Sequence, residues 1–139
     1  MAFAFETVDV SFPNIKRRET SRWIKSVIED CHKQAGSITY IFCSDDEILR
    51  INQQYLNHDY YTDIITFDYS EDNKLSGDLF ISLETVKSNA EKYGTGYPEE
   101  LRRVMIHGIL HLCGFKDKSP GEAEQMREKE NEALKSYGI

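Results

Sequence analysis

The chain lacks any apolar run longer than a few residues before a charge or a glycine interrupts it. That excludes a membrane-crossing helix, which needs about 20 consecutive apolar residues. Its opening, MAFAFETVDV, has no basic stretch ahead of an apolar one, so no secretion signal is expected there. Cysteine is scarce. Cys31, Cys43 and Cys113 form an odd set without a C-x-x-C pair, which argues against a secreted disulfide framework and a cysteine zinc site, and for a reducing cytoplasm. Proline is scarce as well, with three residues scattered at positions 13, 98 and 120. No linker, repeat or low-complexity tract divides the chain, so one domain over residues 1–139 is expected. Positive charge is in deficit: 17 basic against 24 acidic side chains leave a net charge of -7. Such a balance favours solubility and discourages loose attachment to polyanions, so a nucleic-acid partner would have to be met by a local basic patch. Ten carboxylates crowd the span from Asp45 to Glu84 against only Arg50 and Lys74, whereas Lys16, Arg17, Arg18, Arg22 and Lys25 fall within ten residues.

What the chain does have is enough apolar mass for a core. At 139 residues with 40% apolar, folding hides roughly two-thirds of the unfolded surface. The fold therefore needs no metal to stand, and any metal present is functional. Residues 2–10 alternate and predict a strand. A helix is expected from Thr20 or Ser21, with Trp23, Ile24, Val27, Ile28 and Cys31 at helical spacing and Gly36 as its stop. SITYIFC, residues 37–43, reads as a strand. Ser44 with Glu47 gives a capping-box pattern for a helix to about Leu56. Strands at residues 63–69 and 77–82 flank the turn-forming SEDNKLS, which suits a hairpin or a crossover, and a helix over 83–93 ends at Gly94.

The chemistry concentrates in the next helix. Pro98 sits at a favourable first position, followed by Glu99 and Glu100. Apolar residues then occur nearly all round the helix to Leu112, which predicts a buried central helix. His107 and His111, four residues apart, share one side about one turn apart, and Gly114 lies where the left-handed conformation would let the chain turn back with Asp117. Two imidazoles and one carboxylate make a three-ligand site with a coordination position left open, as in catalytic zinc centres. Zinc is the first choice, with iron, nickel or manganese also suited. The zinc-peptidase motif carries Glu after its first His, and here that residue is Gly108. Cys113 is expected to point away from both imidazoles, and His32 and His58 to be solvated.

The string HGILHLCGFKD resembles the H-G-x-L-H-L-x-G-Y-D-H signature of the YbeY family of metal-dependent endoribonucleases. INQQYLNHDYYTDIITF and GDLFIS are similar to two further family blocks, in the same order, so the resemblance covers residues 51–117. Asp59, Thr62, Asp63 and Phe67 match it. Three positions depart. Asp117 stands where the family has its third His, Leu56 where it has an Arg tied to activity or RNA contact, and Tyr61 where it has Pro.

The expected fold is α/β, a small, mostly parallel sheet covered by helices, with the metal at the end of the central helix. The resemblance implies a cytoplasmic endoribonuclease acting on single-stranded RNA in maturation of the 3′ end of small-subunit ribosomal RNA and in ribosome quality control. A water activated by the metal would serve as its nucleophile, or the ribose hydroxyl of the RNA itself would attack; the sequence does not separate the two routes. Lys116, Lys118, Arg102 and Arg103 are the expected phosphate contacts, with Arg17 and Arg18 next, and neither DNA nor a membrane is an expected partner. Two other readings are open: a metal-binding, ribosome-associated factor with weak or no cleavage, and a zinc peptidase.

Because the core is large enough to stand alone, chelation is expected to lower the melting temperature while far-ultraviolet circular dichroism at 25 °C stays native. Metal at ~1,000 times its dissociation constant adds about 4 kcal/mol. Loss of the dichroism on chelation would make the metal structural.

Overall fold

The computed structural model describes residues 3–55 and 63–137. Its elements run β1 (Phe3–Val8), α1 (Arg17–Asp30), β2 (Gln34–Cys43), α2 (Asp45–Tyr55), β3 (Ile64–Asp68), β4 (Lys74–Ser82), α3 (Leu83–Tyr93), α4 (Tyr97–Leu112) and α5 (Pro120–Ser136). The four strands lie in the order β1-β2-β4-β3. β1, β2 and β4 are parallel, an arrangement that needs the long helical crossovers this chain supplies, and β3 returns antiparallel to β4 through the short 69–73 turn. The turn-rich SEDNKLS segment is thus a hairpin connection. Among the described residues no helix is long and apolar enough to cross a membrane.

Strand alternation sends side chains to two cores. Phe3, Phe5, Ile38, Tyr40, Phe42, Leu79 and Ile81 face the larger one, where α1 and α4 lie, and the Phe5, Tyr40 and Phe42 rings stack in parallel across β1 and β2. Val8, Cys43, Ile65, Phe67 and Phe80 face α2 and its Ile48 and Ile51. The central helix is buried as its composition predicts: Leu101, Val104, Met105, Ile106, Ile109, Leu110 and Leu112 are all in the core. Polar atoms in that core are satisfied. Tyr40 Oη donates to the Met105 carbonyl at 2.9 Å, and Trp23 Nε1 donates to the Ala133 carbonyl at 2.7 Å, tying α1 to α5.

Three local expectations change. α1 starts at Arg17 and stops at Asp30, six residues before Gly36, because the chain leaves the helix through His32, whose φ is 63°. Gly36 instead lies inside β2 at a register shift between Ala35 and Ile38, where a Cβ would meet the Leu75 carbonyl oxygen at 2.6 Å. Close backbone approach, not helix termination, is what requires glycine there. At α2 only half of the capping box forms: Glu47 N–H donates to Ser44 Oγ at 3.2 Å, while the Glu47 carboxylate turns to Arg50 at 2.6 Å. The third change is an addition, since α5 is not among the elements expected from the sequence. It opens on a complete capping box, with Glu122 N–H donating to Ser119 Oγ at 3.2 Å and Ser119 N–H donating to Glu122 Oε1 at 3.1 Å.

Gly108 lets α4 approach the sheet, since an added Cβ would crowd Leu79 Cδ2 and lie 2.8 Å from Ile64 Cδ1. Alanine gains about 1 kcal/mol in helix propensity, but overpacking costs about 1–3 kcal/mol. Gly108→Ala is expected to be destabilised by about 1 kcal/mol in urea unfolding. A variant as stable as the parent would show that α4 can shift away from β3 and β4 without loss.

Candidate metal centre

The last two turns of α4 place His107 and His111 side by side, with their Nε2 atoms 3.1 Å apart. The helix then ends in a tight reversal. Phe115 N–H donates to the Leu110 carbonyl at 3.0 Å, Gly114 N–H to the His111 carbonyl at 3.0 Å, and Gly114 adopts φ 107°, a conformation that favours glycine. The reversal returns Asp117 Oδ2 to 3.2 Å from His107 Nε2 and 3.4 Å from His111 Nε2. Three ligand-type atoms therefore form a nearly equilateral triangle, all within 4.8 Å of one another. Tetrahedral geometry with metal–ligand distances of about 2.05 Å puts ligand atoms about 3.3 Å apart, so the donor set fits one small divalent ion with little rearrangement. The ligand side chains are 23%, 33% and 37% exposed for His107, His111 and Asp117, which leaves the open side of the triangle facing solvent.

β3 forms the opposite wall. Asp63, Ile64, Thr66 and Asp68 join the two His, Leu112 and Asp117 around a cleft of about 430 Å³. Burial raises the Asp63 carboxyl above the usual range, and the nearby His107 only partly offsets it.

Behind the ligands stands a residue that the sequence reading missed. Glu130 of α5 is buried, with Oε2 2.6 Å from His107 Nδ1 and Oε1 accepting from Arg103 Nη1 at 2.8 Å. A carboxylate at Nδ1 keeps the proton on that nitrogen and turns the Nε2 lone pair toward the triangle. Burial pushes Glu130 up, but the hydrogen bonds from His107 and Arg103 outweigh it, and its pKa is lowered overall. Burial pushes His107 down, and the Glu130 hydrogen bond with the Glu130, Asp117 and Asp63 charges reverses this to a net rise. The readable hint was the Ser-Pro-Gly-Glu start of α5. Nothing in sequence spacing says that this helix would lie against His107.

His107, His111 and Asp117 are thus brought together as expected from their spacing. The four expected phosphate contacts are not equivalent. Lys116 and Lys118 are exposed on either side of Asp117. The Arg103 guanidinium is already engaged, donating to Glu130 and, at 2.8 Å, to Asn131 Oδ1. Arg102 lies over the Tyr137 ring at 4.4 Å. Arg103 thus neutralises the buried Glu130. Leu56, His58, Asp59, Tyr61 and Thr62 lie outside the described residues. Phe67 packs edge-on against Phe80 at 5.8 Å. Cys113 is half-buried; burial, then the adjoining Cys31 thiol, pushes it up to about 12, so it stays protonated. Gly108 occupies the position where a zinc peptidase needs its Glu base, and it faces Leu79 and Ile64 in the core, which leaves no room for one.

A family model described as Endoribonuclease YbeY matches residues 6–138. A protein of that name from Bacteroides fragilis is 62% identical over 134 residues, covering 96% of both chains. Another from Porphyromonas gingivalis is 54% identical over 130 residues, covering 94% of this chain and 86% of the relative. The solution structure of a Thermotoga maritima protein shares the fold, with a TM-score of 0.68 at 24% identity over 96% of this chain and 87% of that one.

The Glu130–His107 pair makes stability of the metal-free protein pH-dependent. The raised His107 contributes below its ordinary value of 6.5 and loses this as pH climbs through its folded value. The lowered Glu130 contributes above its ordinary value of 4.5 and loses this as pH falls through its folded value. Both operate between pH 4.5 and 6.5. Glu130→Gln is expected to lose about 1–3 kcal/mol there, measured by urea unfolding in chelator, with a smaller deficit at pH 8. An equal deficit at every pH would show that Glu130 acts through packing alone.

Proposed function

The chain belongs to the Endoribonuclease YbeY family, and from that premise we propose that residues 1–139 form one domain that cleaves single-stranded RNA at the His107, His111 and Asp117 centre. It is a hydrolase of the phosphodiester class. The observation that carries the site is the ligand triangle, with edges of 3.1, 3.2 and 3.4 Å. Zinc suits two imidazoles and a carboxylate at that spacing. A divalent ion held there supplies Lewis acidity, which lowers the pKa of a water and polarises a phosphoryl oxygen.

The chain's own residues do the remaining work. Glu130 holds the His107 proton at Nδ1 and keeps the ring fixed. Asp117 sets the charge of the centre, one unit more negative than a third His would give. The β3 wall confines the substrate on one side while the other stays open to solvent, which suits a strand too long to be enclosed. Lys116 and Lys118 flank the opening and meet the phosphates beside the scissile bond. The substrate proposed on the family resemblance is the 3′ region of small-subunit ribosomal RNA, within ribosome maturation and quality control, in the cytoplasm where the three cysteines stay reduced.

Metal analysis of chelator-free protein paired with a single-stranded RNA cleavage assay tests this. His111→Ala is expected to lose most of the bound metal and nearly all cleavage. Asp117→His is expected to keep the metal and move the pH optimum of cleavage downward, because an extra unit of positive charge acidifies the water further. Equal metal content in the parent and His111→Ala would remove the site. Full metal occupancy in Asp117→Ala with reduced activity would place Asp117 as an orienting group rather than a ligand.

A further inference from the structure

We propose that the outer face of α1 is a second RNA-contacting surface, a phosphate track of Arg18, Arg22 and Lys25 at the sheet edge opposite the cleavage cleft. The proposal rests on the endoribonuclease reading above and names where the same substrate is held away from the cut.

These three cations are four and three residues apart, so they form one stripe along the helix about 10 Å long. They line a groove of about 610 Å³ with Phe3, Ser21, Glu29, Gln34 and Ala35. All three are exposed, and among the described residues none is in an ion pair, whereas Arg50, Arg103 and Lys129 each have a carboxylate partner. Helix cations are commonly neutralised by acids one turn away. Two acids lie one turn away, Glu19 before Arg22 and Glu29 after Lys25, but among the described residues neither forms an ion pair with them, so the stripe keeps a positive excess on a chain of net charge -7, and a polyanion can be held on such a chain only where positive charge gathers.

Placement agrees with a strand running beyond the cleft. The groove lies against β1 and the start of β2, at one edge of the β1-β2-β4-β3 sheet, and the cleft lies against β3 at the other. Across the sheet alone three inter-strand spacings, about 14 Å, separate the edges, and the groove is displaced along the strands as well, since Ala35 pairs with Leu75 beyond the last β3 pair, so the path is longer than the two phosphate steps of a trinucleotide. The cations sit roughly 5 Å apart along the helix axis, close to the step between phosphates of a partly stretched single strand. Phe3 and Ala35 give the groove an apolar floor on which a base can rest. RNA fits better than an acidic peptide because the cations border an apolar floor of Phe3 and Ala35, which a base can stack on and a carboxylate side chain leaves empty.

The test uses the full-length, metal-loaded protein with Arg18, Arg22 and Lys25 all changed to Ala, substitutions that suit an exposed helix and are checked by an unchanged melting temperature. A control variant removes the same charge elsewhere, with Lys87, Lys92 and Lys135 changed to Ala. Binding of a 20-nucleotide single-stranded RNA is followed against salt, and cleavage of a trinucleotide reports on the cleft alone. The track variant is expected to bind the long RNA about tenfold more weakly, with a slope of log affinity against log salt shallower by about 2, since each phosphate contact contributes about 0.7. Its trinucleotide cleavage should equal the parent's, and the control variant should bind within twofold of it. An unchanged slope, or an equal loss in the control, overturns the proposal. So does intact RNA binding accompanied by lost binding of a polyglutamate peptide, which would assign the groove to an acidic protein segment. A parent that binds RNA through the track but cuts none defeats the cleavage reading alone. A parent that cuts RNA, with the track variant equally good on long substrates, defeats the track alone.

Discussion

A carboxylate taken out of water is expensive unless its charge is met, and Glu130, only 6% exposed, is met twice. Arg103 and His107 occupy the same face of α4 one turn apart, and the Glu130 side chain reaches both from α5. That single contact joins two helices, orients the ring of a candidate ligand and engages one arginine. The ligand triangle depends on it, because a His107 ring free to rotate would not hold Nε2 within 3.2 Å of Asp117. α5, in turn, is anchored by the Ser119 capping box at one end and by the Trp23 contact with Ala133 near the other.

The distribution of charge follows a related logic. Negative charge is concentrated at the metal cleft, where Asp63, Asp68 and Asp117 gather. A cation is drawn to such a cleft, but a bare polyanion is repelled by it until the ion is in place. Positive charge is kept at its margins, with Lys116 and Lys118 at the opening and the α1 stripe at the far edge of the sheet.

Asp117 owes its place beside the two imidazoles to the turn before it. The reversal at Gly114 places Oδ2 within 3.4 Å of both imidazoles, so the shorter carboxylate side chain still reaches the ligand corner. In the proposed centre its negative charge would lessen the acidity of a water held by the ion.

Much of this molecule is local in origin and was legible in the residues. The i, i+4 imidazoles, the helix-ending Gly114 and the returning Asp117 lie within eleven residues, so chain geometry alone brings them together. The parallel, helix-covered sheet follows from alternating apolar patterns, and α3 was bounded correctly by its composition and Gly94. What the sequence could not decide are pairings between distant elements. The end of α1 was misjudged because Gly36 is needed for the close approach of β2 to β4, a contact 39 residues away in sequence for Ser37 and Ser76. Glu130 was missed because an acidic residue on a charged helix looks solvated until α5 packs on α4, and the commitment of Arg103 was missed for the same reason. Local geometry can be read from spacing, whereas the partner of a buried charge is decided only when tertiary packing removes its water.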